Sequence, residues 1–111
     1  MKIAVFISGN GSNLQSLINK ANSPNCSYEI SCVVSNNPNA FGLKRAQKNN
    51  IDSIVVNHKD FKNREDFDLE IENRLKNIDF DLIVLAGFMR ILGKNIVKKY
   101  SNKIINLHPS L

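Results

Sequence analysis

The sequence predicts a doubly wound α/β domain built on one mainly parallel, Rossmann-like sheet. Two observations carry that prediction. Short apolar runs, each of strand length, recur near residues 2–8, 29–35, 53–56, 81–88 and 103–106, and segments with apolar residues at helical spacing separate them. No internal repeat, linker or low-complexity block interrupts this alternation, so the 111 residues read as one compact domain, near the lower end of size for an α/β enzyme. With right-handed crossovers the expected strand order is 3-2-1-4-5. The order then reverses beside strand 1, and a crevice opens at the carboxyl ends of the strands.

Each element has its own justification. "KIAVFIS" opens the chain as an apolar run bounded by glycine, as a buried parallel strand should. Leu14, Leu17, Ile18 and Ala21 follow at helical spacing, with Ser12 or Asn13 as the expected cap. "EISCVVS" is strand 2, and "NNPNAFG" turns the chain into a helix around residues 41–49. Strand 3 is short, at 53–56. Asn63 or a neighbour opens a third helix whose apolar face is Phe67, Ile71, Leu75 and Ile78. Glu65, Asp66, Asp68, Glu70 and Glu72 lie mostly off that face and read as a solvated surface near the helix start. "DLIVLAGF" is the most apolar strand; a helix around 94–100 and a last strand, "KIIN", complete the pattern.

Composition excludes several classes. No apolar run approaches the ~20 residues a membrane span requires. "MKIAVFISGNGSN" carries no small-residue cleavage site and fits a first strand better than a secretory leader, which points to the cytoplasm. Cys26 and Cys32 lack CxxC spacing and a paired histidine, so both are expected as free thiols, with no metal. The net charge of +5 is scattered apart from Lys98, Lys99 and Lys103. No basic stripe alternates with aromatics, so neither nucleic acid nor membrane is expected as a partner, whereas small anions suit a mildly basic surface.

Three loops should converge on the crevice. The first, "SGNGSN", is glycine-rich and runs straight into a helix. Gly9 and Gly11 allow a tight turn and close backbone approach, and the free N–H groups of the helix start favour an anion. An ordinary strand–helix turn is the plain alternative; two glycines at such a junction favour a phosphate cradle. A P-loop is excluded by the missing Gly-Lys-Ser/Thr. Dinucleotide binding is disfavoured by Leu14 where a third glycine or alanine belongs, and by "SNN" where strand 2 should end in an acid. A single phosphate monoester, as on a ribose 5-phosphate, fits better. The second loop, "AGFMRIL", offers Phe88, Met89, Ile91 and Leu92 either to an apolar pocket for a flat ring or to packing of the next helix. The third is "NLHPS". Asn106 and His108, two apart, share a face of an extended segment, read as a buried polar pair at the rim of a working site. His58 has no such setting and reads as a surface residue.

Together "ISGNGSNLQSLI", "SNNPNAFGLKRA", "VLAGFMRIL" and "INLHPSL" resemble the N-terminal half of the glycinamide ribonucleotide (GAR) transformylase family, the phosphoribosylglycinamide formyltransferases. The likeness runs over the whole chain. The wider formyltransferase group, including formyltetrahydrofolate hydrolase and methionyl-tRNA formyltransferase, shares the His-Pro-Ser region; the "GNGSN" loop and the start at Met1 favour the GAR enzymes. The resemblance implies transfer of a formyl group from 10-formyltetrahydrofolate to the amine of GAR in purine synthesis, without a metal. It implies that Gly11, Ser12 and Asn13 hold the GAR phosphate. Arg64, Met89, Arg90, Ile91, Leu92 and Asn106 would contact the folate, the 89–92 stretch through its backbone, and Asn106 and His108 would sit at the formyl carbon as the catalytic pair. A monomer or homodimer is implied for the full-length protein. The alternatives are the hydrolase, which uses water in place of GAR, and a phosphate- or nucleotide-binding module with no chemistry.

The chain departs from that family at its end. The family continues for about as long again and supplies an aspartate beside the catalytic histidine, whereas only Pro109, Ser110 and Leu111 follow His108. Residues 1–111 thus read as the N-terminal, mononucleotide-binding part of a formyltransferase domain, cut after the fifth strand, with the C-terminal half absent and little or no activity expected alone. Gly93 is a smaller departure: a serine helix cap is expected there.

Overall fold

The computed structural model describes residues 1–90 and 92–107. Ten elements follow in order: β1 (Lys2–Ile7), α1 (Ser12–Ala21), β2 (Glu29–Ser35), α2 (Gly42–Lys48), β3 (Ser53–Val55), a 3-10 turn (His58–Asp60), α3 (Arg64–Leu75), β4 (Leu82–Leu85), α4 (Lys94–Lys99) and β5 (Ile104–Asn106). The five strands form one sheet in the order β3-β2-β1-β4-β5, parallel at every pairing. This is the expected doubly wound topology.

Both faces of the sheet are covered, which explains why the strands read as continuous apolar runs rather than alternating ones. Ile3, Val5 and Ile7 of β1 pack with Leu14 and Ile18 of α1 and Ala46 of α2. Ala4 and Phe6 pack the other way, with Phe67, Ile71 and Leu75 of α3 and Ile96 of α4. The period of two along β1 thus feeds two separate cores. Among the described residues no helix is long and apolar enough to cross a membrane, and no group of three or more metal-ligating side chains gathers.

Several local expectations are corrected. Helix α1 is not capped by Ser12 or Asn13: Gly11 holds the cap position with φ of 79°, and no side chain caps the helix. A left-handed cap residue is easiest for glycine, and here the turn itself replaces the side-chain cap. By contrast Asn63 caps α3 as expected, its Oδ1 accepting from the Asp66 N–H at 2.9 Å. Asp68 does not belong to the solvated acidic face; it is 4% exposed. His58 is half-buried, because its backbone N–H donates to the Asn36 carbonyl and its Nδ1 lies 3.0 Å from the same oxygen. Asn106 is exposed rather than buried; among the described residues β5 pairs with β4 alone.

Candidate functional site

Strand register decides which loops can meet. Phe6 of β1 pairs with Leu85 of β4, and Leu85 pairs with Asn106 of β5. On the other side Ile7 pairs with Ser35 of β2. Ser8, Asn36, Ala86 and Asn106 therefore emerge along one edge of the sheet, at the switch point where successive strands turn from one side of β1 to the other.

The turn after β1 is held from the side by α2. The Gly42 N–H donates to the Gly9 carbonyl at 3.0 Å. Arg45 donates from Nε to the Asn10 carbonyl at 2.8 Å, from a terminal nitrogen to Asn10 Oδ1 at 2.6 Å, and to Gln15 Oε1 at 3.2 Å. Its guanidinium also stacks over Phe41, 4.9 Å from the ring centre. Close approach of the two elements requires bare glycines, since a Cβ on Gly11 would lie 2.7 Å from the Gly42 Cα. The first helical bond of α1 runs from the Gln15 N–H to the Gly11 carbonyl. The N–H groups of Ser12 and Asn13 precede it, as an anion-binding helix start requires.

The segment after β4 is tied to this turn. Ser8 Oγ accepts from the Met89 N–H at 2.7 Å and donates to Asn36 Oδ1 at 2.6 Å. Asn37 Nδ2 donates to the Ser8 carbonyl at 3.2 Å. Gly87 makes the bend with φ of 77°. Phe88 does not line an open pocket; it packs edge-to-face on Phe6, with ring centres 5.4 Å apart. Met89 is 81% exposed, and its backbone N–H is the group tied to Ser8. Arg90 lies over the Phe67 ring, 5.4 Å from its centre.

A cleft of about 490 Å³ opens between α3 and the start of α4, lined by Arg64, Glu65, Asp68, Leu92, Gly93, Lys94 and Asn95. Arg64 and Leu92, 28 residues apart in sequence, thus share one cavity. Its lining carries two basic side chains, Arg64 and Lys94, and two acidic ones, Glu65 and Asp68. Asp68 lies behind Gly93: any Cβ at position 93 would collide with the Asp68 carboxylate. Burial pushes the Asp68 carboxyl above the ordinary value, with Glu72 adding to it, while the Gly93 backbone hydrogen bond and the charges of Arg64 and Arg90 pull it back. Its Oδ1 has no partner among the described residues. The serine expected at 93 would require the Asp68 side chain to shift, and the carboxylate reaches the start of α4 in its place.

Of the sequence-predicted site residues, Gly11, Ser12 and Asn13 sit at the start of α1, Met89 beside that turn, Arg90 over the Phe67 ring of α3, and Arg64 and Leu92 in the cleft. Asn106 ends β5 at the same sheet edge. Ile91 and His108 lie outside the described residues. Spacing along the chain does not single out Ser8, Asn36, Asn37, Arg45 or Asp68. The amides of "SNN" at a strand's carboxyl end were a usable signal for Asn36 and Asn37; nothing in one dimension pairs Arg45 with Asn10.

Comparison with known proteins gives a consistent result. A family model described as formyl transferase matches residues 1–111. A phosphoribosylglycinamide formyltransferase of Haemophilus influenzae is 44% identical over 110 residues, covering 99% of this chain and 52% of that protein. The human trifunctional purine biosynthetic protein adenosine-3 is 46% identical over 110 residues, covering 99% of this chain and 11% of its own length. Among solved structures, phosphoribosylglycinamide formyltransferase from Coxiella burnetii, in complex with CHES, superposes with a TM-score of 0.91 at 47% identity, covering 100% of this chain and 52% of that one. The Brucella melitensis phosphoribosylglycinamide formyltransferase gives a TM-score of 0.93 at 38% identity, over 99% and 57%. The chain spans about half the length of the single-function relatives and about a tenth of the trifunctional ones.

Proposed function

This chain belongs to the formyl transferase family, and from that premise we propose that it serves formyl transfer from 10-formyltetrahydrofolate to the amine of GAR, yielding formyl-GAR and tetrahydrofolate in purine synthesis. The observation that carries the reading is the meeting of two different half-sites at one sheet edge. One is the glycine turn feeding α1, shaped for a phosphate. The other comprises Met89, tied to that turn, and Leu92, which shares the cleft with Arg64.

In this reading Gly11, Ser12 and Asn13 hold the GAR phosphate through the helix-start N–H groups. Arg64 meets the folate carboxylates, and Met89, Arg90, Ile91 and Leu92 hold its ring through the backbone. The neutral amine attacks the formyl carbon and charge gathers on the formyl oxygen. The Asn106 amide donates to that oxygen, a contribution on the order of 3–4 kcal/mol in comparable sites. His108, protonated, shares the oxyanion and then delivers its proton to the departing folate nitrogen as the carbon–nitrogen bond breaks; the new amide nitrogen sheds its own proton. The exposure of Asn106 agrees with a residue that must reach substrate. The same reading carries a cytoplasmic location, two small anionic substrates, and a monomeric or homodimeric full-length protein.

Calorimetry with GAR, and separately with a folate, tests the assignment. GAR binding is expected to disappear in Gly11→Ala and to persist in Arg64→Ala, and folate binding to show the reverse. A chain that binds neither ligand would refute the function, as would one whose GAR affinity ignores the glycine turn.

A further inference from the structure

We propose that Ser8 is a positioning residue that sets the spacing between the two half-sites, its one hydroxyl tying the phosphate turn to the Met89 backbone and to the end of β2. The proposal deepens the formyl-transfer reading and rests on it for the identity of the two ligands.

A serine hydroxyl has one proton and two lone pairs. The Met89 N–H, 2.7 Å away, occupies a lone pair, which leaves the proton for Asn36 Oδ1 at 2.6 Å. Both bonds are short, and the exposure of Ser8 and Asn36, 9% and 3%, leaves water little access to either. Asn36 is fixed in turn, because its carbonyl accepts from the His58 N–H. Ser8 is held a second time through its own carbonyl, which accepts from Asn37 Nδ2. The residue therefore cannot shift without disturbing the ends of β1 and β2 together.

Its place in the chain gives this rigidity a use. The Ala86 N–H makes the last sheet bond between the β4 and β1 chains, to the Phe6 carbonyl. Past it the two backbones diverge, one into the glycine turn and the other around Gly87. Ser8 Oγ with the Met89 N–H joins them beyond the end of the ladder. One side of that bond begins the turn read as the phosphate cradle; the other begins the segment read as the folate strip. A two-substrate transfer requires its reacting atoms about 3–3.5 Å apart, and a displacement of about 1 Å can cost on the order of 100-fold. A bridge that fixes the offset between the half-sites governs their joint use and leaves binding of either ligand alone nearly untouched.

The test uses a conjugate that joins a ribose 5-phosphate to a folate through a linker as long as the transferred group. Wild-type protein is expected to bind it about 100-fold more tightly than either piece, because the second contact becomes intramolecular. Ser8→Ala should lose at least about tenfold of that advantage while ribose 5-phosphate and the folate alone bind as before. Ser8→Thr, which keeps the hydroxyl, should restore it. Parallel loss for pieces and conjugate, or no loss at all, would overturn the proposal. Met89 amide exchange gives a ligand-free reading: about tenfold faster in Ser8→Ala, restored in Ser8→Thr, with β1 amides unchanged. Equal Met89 rates in all three proteins would also overturn it. Wild-type protein that binds neither piece would sink the functional reading instead, and the exchange rates would still decide the role of Ser8.

Discussion

Two side chains show how burial governs chemistry at the residue scale. Asp68 has its pKa raised by burial, so the folded protein binds that proton more tightly than the unfolded chain does. The contribution of this group to stability is therefore smaller above its folded-state value than below it. It grows as pH falls through the folded-state value toward the ordinary value of about 3.9. Asp68→Asn, a near-isostere of the protonated acid, is expected to melt higher than wild type at pH 7. The gap should narrow as the pH is lowered, which melts at pH 7 and pH 5 would show; a constant gap would count against a strained carboxylate. Cys32, fully buried, has its thiol pushed up to about 11 by desolvation, whereas Cys26 is only half-buried. Labelling with a thiol reagent at pH 8 should give one fast site and one that reacts only as the protein unfolds.

At the scale of elements, bare glycines let neighbours touch. Gly11 combines a left-handed backbone with contact against α2. Gly11→Ala is expected to cost about 1–3 kcal/mol in a urea titration, on top of its loss of phosphate binding. Gly93 does for α3 and α4 what Gly11 does for α1 and α2. Gly93→Ser should destabilise by about 1–3 kcal/mol through overpacking on Asp68, and most of that loss should vanish in an Asp68→Ala background. Additive losses would show that the two residues are independent. These contacts mark the limit of what spacing reveals. The strands and their order were legible, because apolar runs and crossover handedness are local or general rules. The tight turn into α1 was legible from its two glycines. The bridges from Arg45 to Asn10 and from Ser8 to Met89 were not, since their partners lie 35 and 81 residues apart and depend on register. Asp68 read as solvated because helical periodicity reports its own helix and takes no account of a neighbour without a side chain. Ile91 and His108 lie outside the described residues, so the role proposed for His108 rests on its spacing from Asn106 and on the family resemblance.

Across the whole molecule, β1 is the axis. It pairs on both sides and its side chains enter both cores, whereas β3 and β5 are three-residue edges. Amide exchange is expected to be slowest in β1 and its neighbours in β2 and β4, and fastest in β3 and β5, by several orders of magnitude between the extremes. A β5 as protected as β1 would mean that its free edge is covered in solution.

The strand order also carries a timetable. The chain begins at the centre of its sheet, builds outward to one flank through β2 and β3, and only then returns to lay β4 on the other. The brace on the glycine turn, Arg45 to Asn10, needs a partner 35 residues downstream; the Ser8 bridge waits for one 81 residues downstream. On a ribosome adding about 5–20 residues per second, the two events are separated by several seconds. The nascent chain thus finishes the frame of its glycine turn while the opposite wall of the crevice has yet to be translated.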